Sequence, residues 1–374
     1  MKINFDRKSI IDALSEVAVI VPQKSTLPVL TYALFETKTL GENKLLIISG
    51  TDLLISARKA IFLSDKDISE WVEDGKYIID IKKMIALLKT FSQERIYLEI
   101  TGEENHTVNI VTEKANYMIE NISIDNEFPE IFEAKENPIT LTKDIWKTIS
   151  MLQGYAGTDE LRPIMTGIHL VNNSDELIIE ATDAHMLGRI KLDSISDYSI
   201  DIVIPSAVSK ITKYFEETTV MSFSDKNITI KSDTIKYTLR LIEGKYPNVE
   251  SVLPDITKAD SISIDRKYLI NVINRMNISV KDKRCKIAFK PSGMFLNVSA
   301  ENLEYNLMSE EDISAELSNA EFEPFALNGN FLSTILSNLT SKDVLLHLID
   351  PRRAVTVIDP EINGLVHIIM PVVL

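Results

Sequence analysis

Three segments of this chain open in the same way, and that internal repeat limits the possible folds more than any other feature. They are Ile3-Asn4-Phe5-Asp6-Arg7-Lys8, Ile139-Thr140-Leu141-Thr142-Lys143-Asp144 and Ile262-Ser263-Ile264-Asp265-Arg266-Lys267. Each begins with the alternation of a strand. Each runs on into apolar residues at i, i+4 and i+7, which is one face of a helix: Ile10/Leu14/Val17, Ile145/Ile149/Leu152 and Leu269/Ile273/Met276. Measured at Lys8, Lys143 and Lys267, the steps between copies are 135 and 124 residues. A second helical stripe repeats at 124: Met84/Leu87/Leu88/Phe91, Val208/Ile211/Thr212/Phe215 and Leu332/Ile335/Leu336/Leu339, broken only by Thr212. A short β-rich run precedes each stripe, and Asp80, Ser206 and Asn328 are placed to cap the helices.

Between the two helices lie strands. Leu46-Ile47-Ile48-Ser49-Gly50-Thr51-Asp52 parallels Leu177-Ile178-Ile179-Glu180-Ala181-Thr182-Asp183, and Leu296–Asn302 follows the pattern more weakly. Further alternating segments fall at Tyr97–Ile100, Thr107–Val111, Met221–Phe223, Thr229–Lys231 and Val344–Leu348. The predicted fold class is therefore α+β, with three pseudo-equivalent domains of two helices on mainly antiparallel sheet. A period this long makes each copy a domain rather than a solenoid turn. Polar, Pro-containing stretches put the domains at 1–130, 138–254 and 260–374.

With 374 residues, 45% of them apolar, the chain can bury a sizeable core. No run approaches the 18 or so apolar residues of a membrane span. The N-terminus reads as no signal peptide. A single cysteine, Cys285, excludes an internal disulfide and fits a reducing cytoplasm. The net charge of −15 argues at first against nucleic acid. Its distribution reverses that. Over 7–20, 81–92, 143–156, 206–217, 266–279 and 330–341, twelve Lys and Arg face five Asp and Glu, a net +7 that leaves −22 for the rest. Basic helices on an acidic chain suit a surface that touches phosphates without reading bases. Three domains in head-to-tail order can continue into a second chain and close a ring. Twelve helices at ~10 Å each would enclose a hole of roughly 28 Å.

The order of several short motifs along the chain carries a family likeness. They are Thr26-Leu27-Pro28-Val29-Leu30, Gly50-Thr51-Asp52-Leu53, Ala181-Thr182-Asp183-Ala184-His185-Met186-Leu187, Gly244-Lys245-Tyr246-Pro247, Val252-Leu253-Pro254 and Met370-Pro371-Val372-Val373-Leu374. From end to end the chain resembles the bacterial DNA polymerase III beta subunits, the sliding clamps. The resemblance implies a head-to-tail dimeric ring around double-stranded DNA, bound without sequence preference and with no cofactor. It implies partners: the DNA polymerase III alpha subunit, the clamp loader, and other polymerases and repair proteins carrying a clamp-binding peptide. It implies that these dock in a groove formed by Met165, Thr182, Ala184, His185, Met186, Leu187, Pro247, Ser251, Val252, Phe331, Ile368, Met370 and Pro371. Met186 and Ser251 stand where relatives can have Arg, so this groove is less basic. By the same resemblance Tyr117 and Ile119 should meet Ile278 of the other chain at the ring seam. Lys8, Lys24, Lys82, Lys83, Lys143, Lys147 and Lys267 should face phosphates.

Catalysis is the competing reading. Asp183 and His185 could form an acid–base pair in an α+β enzyme. The first repeat has Thr51-Asp52-Leu53-Leu54 at the same place without the His, so a strand-end turn explains both copies. The five histidines lack the spacing of a metal site, and no phosphate-binding loop is present. No catalytic residue, metal or cofactor is therefore expected, and Ser309-Glu310-Glu311-Asp312 reads as a solvated acidic loop.

Overall fold

In each repeat the opening strand runs straight into its helix: Lys2–Asp6, Ile139–Thr142 and Asp260–Asp265 are the strands. The computed structural model describes residues 2–64, 67–70, 74–101, 106–123, 127–280 and 285–374. Its six α-helices are α1 (Arg7–Ala18), α2 (Ile81–Leu88), α3 (Lys143–Leu152), α4 (Ser209–Thr212), α5 (Arg266–Val280) and α6 (Gly329–Asn338). Short polar side chains start four of them. Asp6 accepts from the Ser9 amide at 2.8 Å, Asp80 from Lys83 at 2.9 Å, Asp265 from Tyr268 at 2.7 Å and Asn328 from Asn330 at 2.9 Å. Each such cap contributes about 1 kcal/mol by satisfying an amide that the helix itself leaves open.

The apolar stripes are mostly buried where the periodicity puts them, although Leu87 of α2 and Phe91 just after it are only half-buried, and two departures are larger. In α3 the buried residue of the first turn is Trp146, while Ile145 is half-buried. The indole Nε1 donates to Thr219 Oγ1 at 2.7 Å, and the ring meets Phe215 edge-on at 4.8 Å. The larger apolar surface takes the core position because the indole N–H finds a partner there. The second departure is α4. The expected helix over 206–217 is a single-turn α-helix preceded by a 3-10 turn at Ser206–Val208. Ser206 thus opens a 3-10 turn rather than the α-helix. Thr212 Oγ1 turns back onto the Ser209 carbonyl at 3.1 Å, a local bond that competes with continuing the helix. Val208, Ile211 and Phe215 stay buried all the same.

The chain divides into two compact units, 1–147 with 207–241 and 148–206 with 242–374. The middle repeat is shared between them. Each unit holds one nine-stranded and one five-stranded sheet. In the first unit, strand Ile55–Leu63 of the first repeat pairs antiparallel with strand Ile235–Arg240 of the middle repeat. In the second, strand Met186–Asp193 of the middle repeat pairs with strand Leu365–Ile369 of the third. Each nine-stranded sheet is therefore continuous backbone hydrogen bonding across a junction between repeats. Among the described residues no helix is long and apolar enough to cross a membrane.

A buried histidine gives the second unit a pH dependence. His367 is fully buried, and its Nδ1 is hydrogen-bonded to the Tyr155 hydroxyl at 2.7 Å. Burial pulls its pKa down to about 4 against a weaker opposing pull from Asp359. The folded ring stays neutral at a pH where the unfolded chain takes up a proton. Its contribution is therefore intact above the ordinary histidine pKa and lost as pH falls toward 4, by up to about 3 kcal/mol. His367→Gln should flatten the fall in denaturation midpoint between pH 6.5 and 4. An unchanged pH profile in the variant would remove His367 as the cause.

Candidate functional site

In the second unit the middle and third repeats join, and several residues that the family resemblance assigns to a groove lie at this junction. One side begins at the end of strand Glu176–Thr182, where Thr182-Asp183-Ala184-His185 turns the chain. Thr182 Oγ1 donates to the Met186 carbonyl at 2.7 Å and accepts from the Ala184 amide at 3.1 Å. Asp183 Oδ1 accepts from the amides of His185 and Met186, both at 2.8 Å. Ala184 takes φ +76°, a left-handed conformation that the turn forces on a side-chain-bearing residue. The Asp183 carboxylate is thus spent on backbone amides, and the His185 ring stacks on Phe331 of α6 at 6.1 Å. This is a structural turn that exposes Ala184 and His185, and no acid–base pair forms between Asp183 and the His185 ring.

Register brings the chain's end to the same place. Met186 and Leu187 lie opposite Ile369 and Ile368, and the Met370 amide donates to the His185 carbonyl at 2.8 Å. Pro371 and Val372 then pair with strand Phe325–Asn328. The junction is packed around a core cluster of Leu187, Val203, Tyr246, Val249 and Ile368, with Ile164, Ile242, Leu253, Ala354 and Val366 packed against it. In the adjoining segments Val252 and Met370 remain 60% and 44% exposed. Pro247 is half-buried and Ser251 exposed in the connecting segment, where Ser251 Oγ donates to the Asn248 carbonyl at 2.8 Å. Met165 sits on the 3-10 turn Pro163–Thr166, its carbonyl accepting from Gly157 at 2.8 Å. A further cavity of about 340 Å³ adjoins at Pro371, walled by Pro324, Phe325, Pro351, Arg352 and the last three residues.

Thr182, Met186, Leu187 and Ile368 are buried, so they pack the junction and do not wall a groove. Met186 in particular is 7% exposed, at the start of a strand whose first five residues are all buried.

Residues beneath the groove escaped the reading of the sequence. His169, Glu180 and Arg189 are opposite one another on three adjacent strands. His169 Nδ1 meets Glu180 Oε1, and Nε2 meets Asp201 Oδ1, both at 2.9 Å. Burial lowers the His169 pKa, but the two carboxylates outweigh it and hold the ring above its ordinary value. Arg189, 5% exposed, reaches Glu250 at 2.6 Å, whose pKa its hydrogen bond and charge depress. Tyr246 stacks on His169 at 4.3 Å and accepts the Thr182 amide at 3.1 Å. The row thus pins the Tyr246–Val252 segment onto the sheet. No spacing in the sequence marks this row, because it depends on the register of three strands.

The other residues singled out lie elsewhere. Lys8, Lys24 and Lys267 are exposed and make no ion pair among the described residues. Lys82 is half-buried at the start of α2, and burial lowers its pKa. Lys83 pairs with Glu120 and Asp80, Lys143 with Glu217 at 3.6 Å and Lys147 with Asp144 at 2.7 Å. Tyr117 and Ile278 are 46% and 75% exposed, whereas Ile119 is 3% exposed, packed within its own unit. Cys285 is buried. Among the described residues no group of three or more His, Cys, Asp or Glu is placed to hold a metal ion.

Comparison with known proteins covers the whole chain. Sequence profiles of the DNA polymerase III beta subunit match in order: the N-terminal domain at 1–131, the central domain at 141–248 and the C-terminal domain at 250–373. The beta sliding clamp of Bacillus subtilis (strain 168) is 22% identical over 386 residues, covering 100% of this chain and 99% of the relative. The beta sliding clamp of Staphylococcus aureus (strain Mu50 / ATCC 700699) is 23% identical over 291 residues, 75% of each chain. The crystal structures of the DNA polymerase sliding clamp from Bacillus subtilis and the DNA polymerase III beta subunit from Thermotoga maritima both superpose with a TM-score of 0.88. Each covers 100% of this chain and 99% of the other, at 20% and 16% identity. The likeness establishes a three-domain α+β fold.

Proposed function

Because the chain belongs to the DNA polymerase III beta-subunit family, we propose that it works as a DNA sliding clamp. Two chains close head to tail around double-stranded DNA. The replicative polymerase and other replication and repair proteins are held there by short peptides seated in the groove of the second unit. The observation that carries this reading is the ordered match of all three domain profiles across the chain, with the domains taken as 1–130, 138–254 and 260–374. The ring is an accessory factor in the cytoplasm, opened by a clamp loader and with no chemistry of its own. Asp183, the acid an enzyme would need beside His185, is committed to two backbone amides.

Two open sheet edges support the head-to-tail contact. Strand Ala115–Ile119 is the outer strand of the five-stranded sheet in the first unit, paired on one side only among the described residues, and shows Tyr117 and Met118 to solvent. Strand Leu307–Ser314 is the outer strand of the five-stranded sheet in the second unit, with Met308 70% exposed on it and Ile278 75% exposed on α5. An unpaired sheet edge is a template for another strand, and the second edge includes the acidic run Glu310-Glu311-Asp312, which is strand and not the expected loop. Joining one chain's first edge to the other chain's second satisfies both.

The defining test is retention. The clamp loaded on nicked circular DNA should stay bound and be lost when the circle is linearised. Equal loss from both forms would remove the encircling ring. The DNA-facing role of the lysines is tested separately. Changing Lys8, Lys24, Lys82 and Lys267 to Glu should weaken direct binding at least tenfold at low salt, equally for every sequence. Each lost phosphate contact should also flatten the salt dependence by about 0.9 in slope. Unchanged salt dependence would exclude these lysines from the DNA surface.

A further inference from the structure

The groove of the second unit has a counterpart in the first. Thr51-Asp52-Leu53-Leu54 builds the same turn as Thr182-Asp183-Ala184-His185. The Leu53 amide donates to Thr51 Oγ1 at 3.0 Å, and those of Leu54 and Ile55 to Asp52 Oδ1 at 3.0 and 2.8 Å. Leu53 takes φ +75°, within a degree of Ala184. The strand from the next repeat leaves in the same way, the Arg240 amide donating to the Leu54 carbonyl at 2.9 Å as Met370 does to His185. The connecting segments correspond as well: Phe128-Pro129-Glu130-Ile131 stands for Tyr246-Pro247-Asn248-Val249.

What the first unit puts on this frame differs in chemistry. A cavity of about 250 Å³ lies there, with Leu53, Leu54 and Phe132 on its rim, 51%, 54% and 65% exposed. A leucine held at positive φ is strained, and here the strain turns an apolar side chain outward instead of hiding it. Exposed apolar side chains gathered about a cavity mark a binding surface. Where the second unit has Met370, the first has Arg240, and Lys226 lines the same cavity. Among the described residues neither cation takes part in an ion pair, and the one carboxylate lining the cavity is Glu130. On a chain of net charge −15, that is a local surplus of positive charge beside apolar walls.

We infer that this cavity is a second peptide-docking site, which takes a segment with leucine or phenylalanine anchors next to carboxylates. The acidic groups of the segment pair with Arg240 and Lys226 while its apolar side chains cover Leu53, Leu54 and Phe132. A neutral apolar segment leaves both cations uncovered and binds less well, so the two grooves of one chain select different peptides. The equivalence of the two sites rests on the peptide-binding reading of the second unit, whereas the cavity and its charge do not.

The test uses the full-length protein and two fluorescent peptides with amidated C-termini, Leu-Leu-Asp-Leu-Phe-Asp and its Asn-for-Asp counterpart. With the second-unit groove blocked by Val252→Glu and Met370→Glu, the acidic peptide should still bind, one per chain, with a dissociation constant of order 100 μM. The neutral peptide should bind at least about fivefold more weakly. Adding Arg240→Glu and Lys226→Glu, both exposed and outside the core, should abolish the remaining site. Loss of all binding on blocking the second-unit groove would overturn the inference and leave that groove's role intact. So would residual binding that ignores the charge reversal. If neither peptide binds the unmodified protein, both readings fall together.

Discussion

Val252→Glu combined with Met370→Glu should weaken binding of a short peptide carrying Gln and Leu/Phe anchors by at least about 100-fold while leaving the protein folded. The argument is one of location. Both side chains are well exposed, so a carboxylate at either position stays hydrated in the free protein and costs the fold little. Both stand in segments adjoining the cluster of Leu187, Val203, Tyr246, Val249 and Ile368, where a seated leucine or phenylalanine would strip that hydration. Micromolar binding corresponds to about −8 kcal/mol, and two desolvated carboxylates need remove only about 2.7 kcal/mol of it to give the 100-fold loss. Removing residues 370–374 is a blunter instrument, because it also takes away the edge strand paired with Phe325–Asn328 and the bond from Met370 to His185. Fluorescence anisotropy with the labelled peptide reads the effect. A folded double variant that binds within threefold of the parent would show that the peptide sits elsewhere.

Charge at the proposed seam should turn the proposed ring into single chains. The proposed dimer would have a mass of about 84 kDa, twice the 42.2 kDa of the chain. Met118→Asp with Ile278→Asp changes two residues that are 74% and 75% exposed in the isolated chain, so the monomer has no packing to lose. In the closed ring the new carboxylates meet across the seam, where like charges repel and desolvation is unfavourable. Ile119, which the family resemblance nominates, is a poorer site for this test. At 3% exposed it holds the edge strand to its own unit, and a charge there would cost core packing as well as any contact across the seam. Sedimentation equilibrium on the double variant should give a mass near 42 kDa with unchanged circular dichroism. A folded variant that stays at twice that mass would place the seam on other surfaces.

The repeat was legible because helix faces announce themselves. Ile10, Leu14 and Val17 on α1, Leu269, Ile273 and Met276 on α5, and Leu332, Ile335 and Leu336 on α6 are all buried as their spacing demands. So were the caps Asp80 and Asn328, which act through their own nearest amides. The extent of α4 was not legible. Its stripe is intact apart from Thr212, and the hydroxyl's choice between solvent and the Ser209 carbonyl is a local competition that periodicity does not record. In the groove, the turn at Thr182–His185 could be read from its first-repeat copy, because both rest on side chains bonding amides two or three residues away. That His169, Glu180 and Arg189 would form one buried row under Tyr246 could not, since it depends on the register of three strands.

The amino-acid order alone therefore settles which elements form, how often the pattern recurs and which face of each helix is buried, since all of these depend on side chains close together in the chain. Which repeat joins which came from folding. The strand at 55–63 meets that at 235–240, and the strand at 186–193 meets that at 365–369, through backbone N–H and C=O groups that every residue carries alike. Such bonds leave no side-chain signature, and they are what bring Met370 to His185 in one unit and Arg240 to Leu54 in the other.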